Sequence, residues 1–168
     1  MKVMKRIIQM SLMLCVCLLH MNAQTGTEDM PEPKKNSIYL EGGGNGIAYT
    51  LNYDHLFSMK NKPKMGVGTR IGFSPGNYPW IFGLEDIWGI LPVEIFFSYG
   101  IKSCLELGLG YTFIIEENAS EWENLIIFRS SYKYRGPKGF IFGVGAIARM
   151  DYYGIWFPVP HVSVGFSF

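Results

Sequence analysis

The sequence is poor in cysteine, in charged residues and in long apolar segments. Its 168 residues include three cysteines, of which Cys15 and Cys17 lie in the N-terminal apolar segment, so only Cys104 remains in the rest of the chain. A single cysteine excludes a disulfide framework and a cysteine metal site. After residue 23, no segment supplies the roughly 20 consecutive apolar residues that a membrane-spanning helix requires. A helical membrane protein and a disulfide-rich fold are therefore both disfavoured.

Charge and histidine are also scarce. Charged residues make up 17% of the chain, with 15 basic and 14 acidic residues, and three of the basic ones lie in the N-terminal segment. The remainder is slightly acidic, which leaves nucleic-acid binding without an electrostatic basis. Only His55 and His161 follow the N-terminal segment, and two isolated histidines do not predict a metal site. We therefore expect no cofactor, no metal and no nucleic-acid partner.

The N-terminal segment 1–23 has the features of a cleaved signal peptide. Lys2, Lys5 and Arg6 precede the apolar stretch 7–19, and Ala23 is a small residue at the expected cleavage position. A membrane anchor is the alternative, but the stretch is short for a span. Lipoprotein processing is disfavoured because bulky residues precede both N-terminal cysteines. The segment 24–36 is polar and contains two prolines, which predicts a flexible periplasmic lead-in.

From residue 37 to residue 168 the dominant pattern is alternation of apolar and polar or glycine residues. Glycine is abundant, at 20 residues, and aromatic residues make up 15% of the chain. An alternating pattern with turn residues between its segments predicts β-strands. The segments are 37–44, 46–57, 64–74, 90–100, 104–115, 124–135, 139–152 and 159–168. The sequence thus predicts an all-β fold, an eight-stranded antiparallel up-and-down β-barrel, with strands long enough to be transmembrane.

Side-chain volume indicates which face of each strand points outward. One face holds about thirty bulky apolar residues, more than an eight-stranded barrel can enclose, whereas the other face is rich in glycine. We therefore expect the apolar face to contact lipid and the glycine-rich face to line the interior. The charged residues of that interior face should pair with one another and plug the barrel. A catalytic acid–base site is the alternative role for these residues, which are Glu41, Arg70, Glu94, Glu106, Arg129, Lys133 and Arg149.

The predicted connections differ between the two ends of the barrel. The short connections near 58–63, 100–103 and 136–138 carry lysines and should face the periplasm. The longer connections near 75–89, 116–123 and 153–158, together with the turn at 44–45, should be external. The longer ones contain six acidic residues and all four tryptophans. Short turns on one side and long loops on the other are typical of membrane barrels, as are aromatic residues near both boundaries.

A His-x-Ser tripeptide in the last strand is the clearest candidate for catalysis. His161 and Ser163 are two residues apart, so their side chains share a face of the strand. The tripeptide is similar to the His-x-Ser pair of outer-membrane lipid A deacylases. However, Val164 stands where that family has asparagine, and no acidic residue follows to orient the histidine. A lipid A-modifying hydrolase therefore remains an alternative function.

The C-terminal segment 162–168 alternates and ends on Phe168, and it resembles the signal that outer-membrane barrels present to their assembly machinery. The region 37–168 resembles the small eight-stranded outer-membrane proteins. The pattern of residues 37–46 is similar in particular to that of barrels common in Bacteroidota. The resemblance implies the bacterial outer membrane as location. Its implied partners are outer-membrane lipid, lipopolysaccharide and the barrel assembly machinery. It implies a structural or surface-interaction role without a reaction, and a soluble periplasmic ligand-binding barrel is the second alternative.

Overall fold

A computed structural model describes residues 34–45, 49–59, 62–75, 87–116, 124–151, 154–155 and 158–168. The predicted signal peptide, the lead-in as far as residue 33 and much of the predicted external loops lie outside these residues. Within them, no helix is long and apolar enough to cross a membrane.

The described chain forms eight long strands and one very short strand, and their bounds lie close to those that alternation predicts. In chain order they are β1 (Asn36–Gly43), β2 (Tyr49–Met59), β3 (Lys62–Pro75), β4 (Ile87–Tyr99), β5 (Ser103–Glu116), β6 (Asn124–Arg135), β7 (Phe140–Asp151), β8 (Gly154–Ile155) and β9 (Val159–Ser167).

Each long strand pairs antiparallel with the strands that precede and follow it, and β1 pairs with β9 to close the sheet. The fold is therefore a closed eight-stranded up-and-down barrel, which confirms the predicted fold class. The sequence does not predict β8, which lies in the predicted loop 153–158 and pairs with Met150 and Asp151 at the end of β7. Gly154 begins β8 at a φ of 136°, a conformation that glycine adopts without a side-chain clash.

The two ends of the barrel are distinguished by where the chain enters and leaves it. At the termini end, the chain enters β1 and leaves β9, and the short connections 100–102 and 136–139 lie there too. The loop end holds the turn after β1 and the connections after β3, β5 and β7.

Exposure alternates along the strands, with bulky apolar side chains outside and polar or small residues inside. On β1, Ile38 and Leu40 are exposed whereas Ser37, Tyr39 and Glu41 are buried. A few apolar side chains also fill the barrel interior, which we call the lumen. Phe96 is one of them. Its neighbours in sequence, Ile95 and Phe97, point outward, so Phe96 lies on the inward face of β4.

Several inward glycines lie opposite large inward side chains and make room for them. In the cross-strand register, Phe96 lies opposite both Gly68 and Gly108, and Glu94 lies opposite Gly110. A Cβ atom on Gly68 would collide with the Phe96 ring, and one on Gly110 would collide with Glu94. The glycine-rich face therefore lets a narrow barrel hold aromatic and charged side chains at the density of a protein interior.

Candidate functional site

The lumen contains a network of ion pairs that begins with three residues adjacent in register. Asp54 on β2 lies opposite Arg70 on β3, and Arg70 lies opposite Glu94 on β4. The Arg70 guanidinium donates from Nε to Asp54 Oδ1 at 2.7 Å and from Nη2 to Asp54 Oδ2 at 2.9 Å, which is a bidentate pair. It also donates to Glu94 Oε2 at 3.2 Å and to Glu106 Oε2 at 2.9 Å. One arginine thus joins carboxylates from three strands.

Arg129 connects strands that are not neighbours in the sheet. It lies on β6 and donates from Nε and Nη2 to the two Glu94 oxygens, both at 2.8 Å. From Nη1 and Nη2 it also donates to the Glu41 carboxylate on β1, at 2.5 and 3.2 Å. Because Arg129 and Glu41 are 88 residues apart in sequence, this contact exists only once the sheet has closed.

Two further cations complete the network toward the termini end. Lys133 Nζ lies 2.8 Å from Asp54 Oδ2 and 3.1 Å from Glu106 Oε2. Arg135 Nη2 donates to Glu106 Oε1 at 3.0 Å. With these, the network contains four carboxylates and four cations, none more than 7% exposed. Equal numbers of opposite charges in direct contact offset the large cost of removing each ion from water.

Two aromatic rings lie against the cations of the network. The Arg70 guanidinium carbon is 4.8 Å from the centre of the Phe96 ring and 5.5 Å from that of Tyr39. Lys133 Nζ is 4.4 Å from the Tyr39 ring centre. The Tyr39 hydroxyl also donates to Asp54 Oδ1 at 3.0 Å. The rings add cation–π attraction and fill space around the cations.

The turn after β1 folds over the network at the loop end. Gly43 and Gly44 have φ angles of 73° and 69°, a conformation that favours glycine, and they direct Asn45 inward. Asn45 is 2% exposed, and its side-chain amide donates to Glu94 Oε1 at 2.8 Å. Arg149 donates to the Gly44 carbonyl oxygen. Asn45 and Arg149 therefore hold this turn against the lumen.

His161 and Ser163 both point into the lumen, but both imidazole nitrogens face groups of the network. His161 Nε2 is 3.3 Å from Arg129 Nη1, and Nδ1 is 3.4 Å from Glu41 Oε2. Because an arginine only donates, Nε2 must be the acceptor and Nδ1 the protonated nitrogen. A base that activates Ser163 would need a free nitrogen lone pair directed at the hydroxyl. This arrangement suits a structural histidine better than a catalytic one.

The lumen network contains six of the seven charged residues that sequence analysis proposed for it. These are Glu41, Arg70, Glu94, Glu106, Arg129 and Lys133. Arg149 lies apart: within the described residues it contacts a backbone carbonyl and forms no ion pair. Among those same residues, no group of three or more histidine, cysteine or acidic side chains is arranged to hold a metal ion.

Sequence analysis missed two charged members of the network and its aromatic rings. Asp54 shares the inward face of β2 with Asn52 and Thr50, so alternation alone could have included it. Arg135 ends β6, where the sequence predicts the beginning of a periplasmic turn, and its inward direction follows the same alternation from Lys133. The ion-pair partners of these charged residues were harder to predict, because they depend on the register between the strands.

Replacing Gly165 by alanine should destabilise the barrel by about 1–3 kcal/mol, the usual cost of overpacking. Gly165 lies opposite Tyr39, and a Cβ atom would approach backbone atoms of Ile38 and Tyr39 more closely than 3.0 Å. The free energy of unfolding, measured by urea titration of the protein folded in vesicles, checks this. Gly42→Ala is the matched control, since Gly42 faces outward and its Cβ would meet only one atom, at 4.0 Å. Equal stability of the two variants would contradict the close packing.

No known family model and no curated protein sequence matches the chain. Two similar solved structures are outer-membrane barrels. One is the Yersinia pestis outer membrane protein Ail in a phospholipid bilayer nanodisc, with a TM-score of 0.49, 11% sequence identity, and coverage of 80% of this chain and 99% of that chain. The other is the N-terminal β-barrel domain of Pseudomonas aeruginosa OprF, with a TM-score of 0.48, 13% identity and the same coverage. These likenesses concern the fold and say nothing about activity.

Proposed function

We propose that this chain is an integral protein of the bacterial outer membrane, with a structural or surface-interaction role and no reaction of its own. The observation that carries the proposal is the apolar outer surface of the barrel. Twenty-five large hydrophobic side chains of the described residues are exposed, and every one of the eight long strands contributes some of them. Soluble proteins rarely expose contiguous apolar patches beyond a few hundred Å².

The charged side chains lie where a barrel surrounded by lipid can accommodate them, in the lumen or at the end of the strands. Among the described residues whose exposure is assigned, the exposed lysines lie at the termini end, and no carboxylate or arginine side chain is exposed on the outer surface. The described acidic side chains are buried in the lumen, where each contacts a cation. An apolar exterior around a polar interior is the reverse of a water-soluble barrel and is typical of a transmembrane one. This distribution supports the membrane over a soluble periplasmic ligand-binding barrel.

The filled lumen supports a structural or surface-interaction role. Eight buried charged side chains and two aromatic rings cross the interior, so the barrel at this level is a packed core with no room for a diffusion channel. The His161 geometry does not favour the alternative of a lipid A-modifying hydrolase.

The proposal includes the partners that the sequence pattern implies. Lipid and lipopolysaccharide would surround the apolar surface. The barrel assembly machinery would recognise β9 and the terminal Phe168, whose ring is exposed while its backbone pairs with Asn36. Membership of the small barrels common in Bacteroidota rests on the sequence pattern of β1 and stays part of the proposal, as does cleavage of the signal peptide after Ala23.

Fractionation of cells that produce the full chain tests the location. The protein should stay in the outer-membrane fraction after washing with carbonate or concentrated salt, because only detergent replaces the lipid around an apolar surface. In electrophoresis without heating it should migrate as a compact species that heating converts to a slower one. Release by carbonate or salt would contradict the proposal and would support the soluble barrel.

A further inference from the structure

The termini end of the barrel carries exposed basic side chains. They are Lys34, Lys35, Lys64, Lys102 and Lys138, and together we call them the basic rim. No acidic side chain of the described residues lies at this end. The described carboxylates with assigned exposure are Glu41, Asp54, Glu94 and Glu106, and all four are buried in the lumen. The described charged side chains at this end are therefore all of one sign.

Backbone hydrogen bonds distribute the basic rim around the circumference. Leu56 donates to the Lys35 carbonyl at 2.7 Å, and Gly100 donates to the Lys64 carbonyl at 2.7 Å. Arg135 donates to the Lys102 carbonyl at 2.6 Å, and Lys138 lies in the turn between β6 and β7. The lysines thus lie at β1, β3, the β4–β5 connection and the β6–β7 connection. They surround the barrel and do not form a patch on one side.

In the described part of the chain, none of these ammonium groups has a carboxylate partner. Lys34 Nζ donates to the Ser167 carbonyl at 3.1 Å. No ion pair joins the other four lysines to a carboxylate in the described part of the chain. Their charges remain available to an external anion.

Aromatic side chains beside the basic rim indicate its depth relative to the bilayer. Five exposed rings lie at the same ends of the strands: Phe57, Tyr99, Tyr134, Phe140 and Phe168. Aromatic residues concentrate where hydrocarbon meets headgroups. Lysines next to such rings extend their apolar stems along the protein and place the ammonium group among the headgroups.

We propose that the basic rim binds the phosphodiester headgroups of anionic phospholipids in the leaflet at this end of the barrel. The inference rests on the proposed membrane insertion. A lipid leaflet surrounds a barrel on all sides and can contact every lysine of the rim at once, whereas an acidic protein would cover only one side. Each lysine near an anionic surface contributes about a fivefold preference, which corresponds to about 1 kcal/mol.

Spin-labelled lipids test this inference on the full chain folded in vesicles of equimolar phosphatidylcholine and phosphatidylglycerol. The measured quantity is the association of labelled phosphatidylglycerol with the protein boundary, relative to labelled phosphatidylcholine. We expect a severalfold preference for phosphatidylglycerol that decreases with salt, because salt screens exposed charges. The variant with Lys35, Lys64, Lys102 and Lys138 all replaced by glutamine should lose this preference. Replacing the same four lysines by arginine should retain it.

The possible outcomes distinguish a failure of the basic rim as a lipid site from a failure of membrane insertion itself. A protein that inserts into the vesicles but shows no preference, or a glutamine variant that keeps the native preference, overturns the basic rim as a lipid site. A protein that does not insert into neutral or anionic vesicles fails the proposed function itself. If the glutamine variant does not fold, the salt dependence of the native protein and the arginine variant still decide the result. A preference that does not respond to salt would also contradict the proposal.

Discussion

Replacing Arg70 by methionine should destabilise the folded barrel by about 3–5 kcal/mol, the loss expected when one partner of a buried ion pair is removed. Arg70 is 1% exposed and donates to Asp54, Glu94 and Glu106. Methionine has a similar length but no charge, so the network would keep four carboxylates and only three cations. The free energy of unfolding from urea titration in vesicles measures the loss.

Two further variants identify the cause of the destabilisation. Lys64→Met removes a cation from the same strand, but Lys64 is exposed at the termini end, so stability in vesicles of phosphatidylcholine alone should change little. Adding Asp54→Asn to Arg70→Met removes one carboxylate and should restore part of the lost stability. If Arg70→Met and Lys64→Met were equally stable, the buried network would not hold the lumen together as its contacts indicate.

Replacing Leu109 by arginine should cost about 2–4 kcal/mol when the barrel is folded in a bilayer, the cost measured for a charge near the midplane of a lipid-facing surface. Leu109 is 55% exposed and lies in the middle of β5, between Ile95 and Phe128 on the neighbouring strands. In a soluble barrel, the same arginine would face water and cost little. The comparison therefore tests whether this surface contacts lipid.

Tyr134→Arg is the matched control for the depth of the substituted residue in the bilayer. Tyr134 also faces outward but lies near the end of β6 at the termini end, where an arginine reaches the headgroups and should cost about 0–1 kcal/mol. Urea titration of both variants in the same vesicles gives the difference between the two positions. Equal costs at Leu109 and Tyr134, or no cost at either, would contradict a bilayer around the barrel.

The alternation of apolar and polar residues by itself determined which residues share a face of each strand, and with the turn residues it determined the number and order of the strands. The period of two along β5 assigns Glu106 and Gly108 to one face and Leu107 and Leu109 to the other, and the structure has the same assignment. Volume then decides which face is inside, since a narrow barrel accommodates glycines and cannot enclose thirty bulky side chains. The strand count and the antiparallel order follow from segments of similar length separated by turn residues. Alternation, side-chain volume and turn residues are local properties of the chain, so a single sequence is enough to identify them.

Only the tertiary structure decided which charges meet. Arg129 contacts Glu41 from a strand three positions away around the barrel, and Arg70 reaches Glu106 two strands away. It also separated Arg149 from the network and turned both nitrogens of His161 toward Arg129 and Glu41. Such pairings depend on register and on closure of the sheet, because a shift of one residue would move each side chain to the other face. Alternation specifies the face of a residue, whereas its partners depend on strands that are distant in the chain.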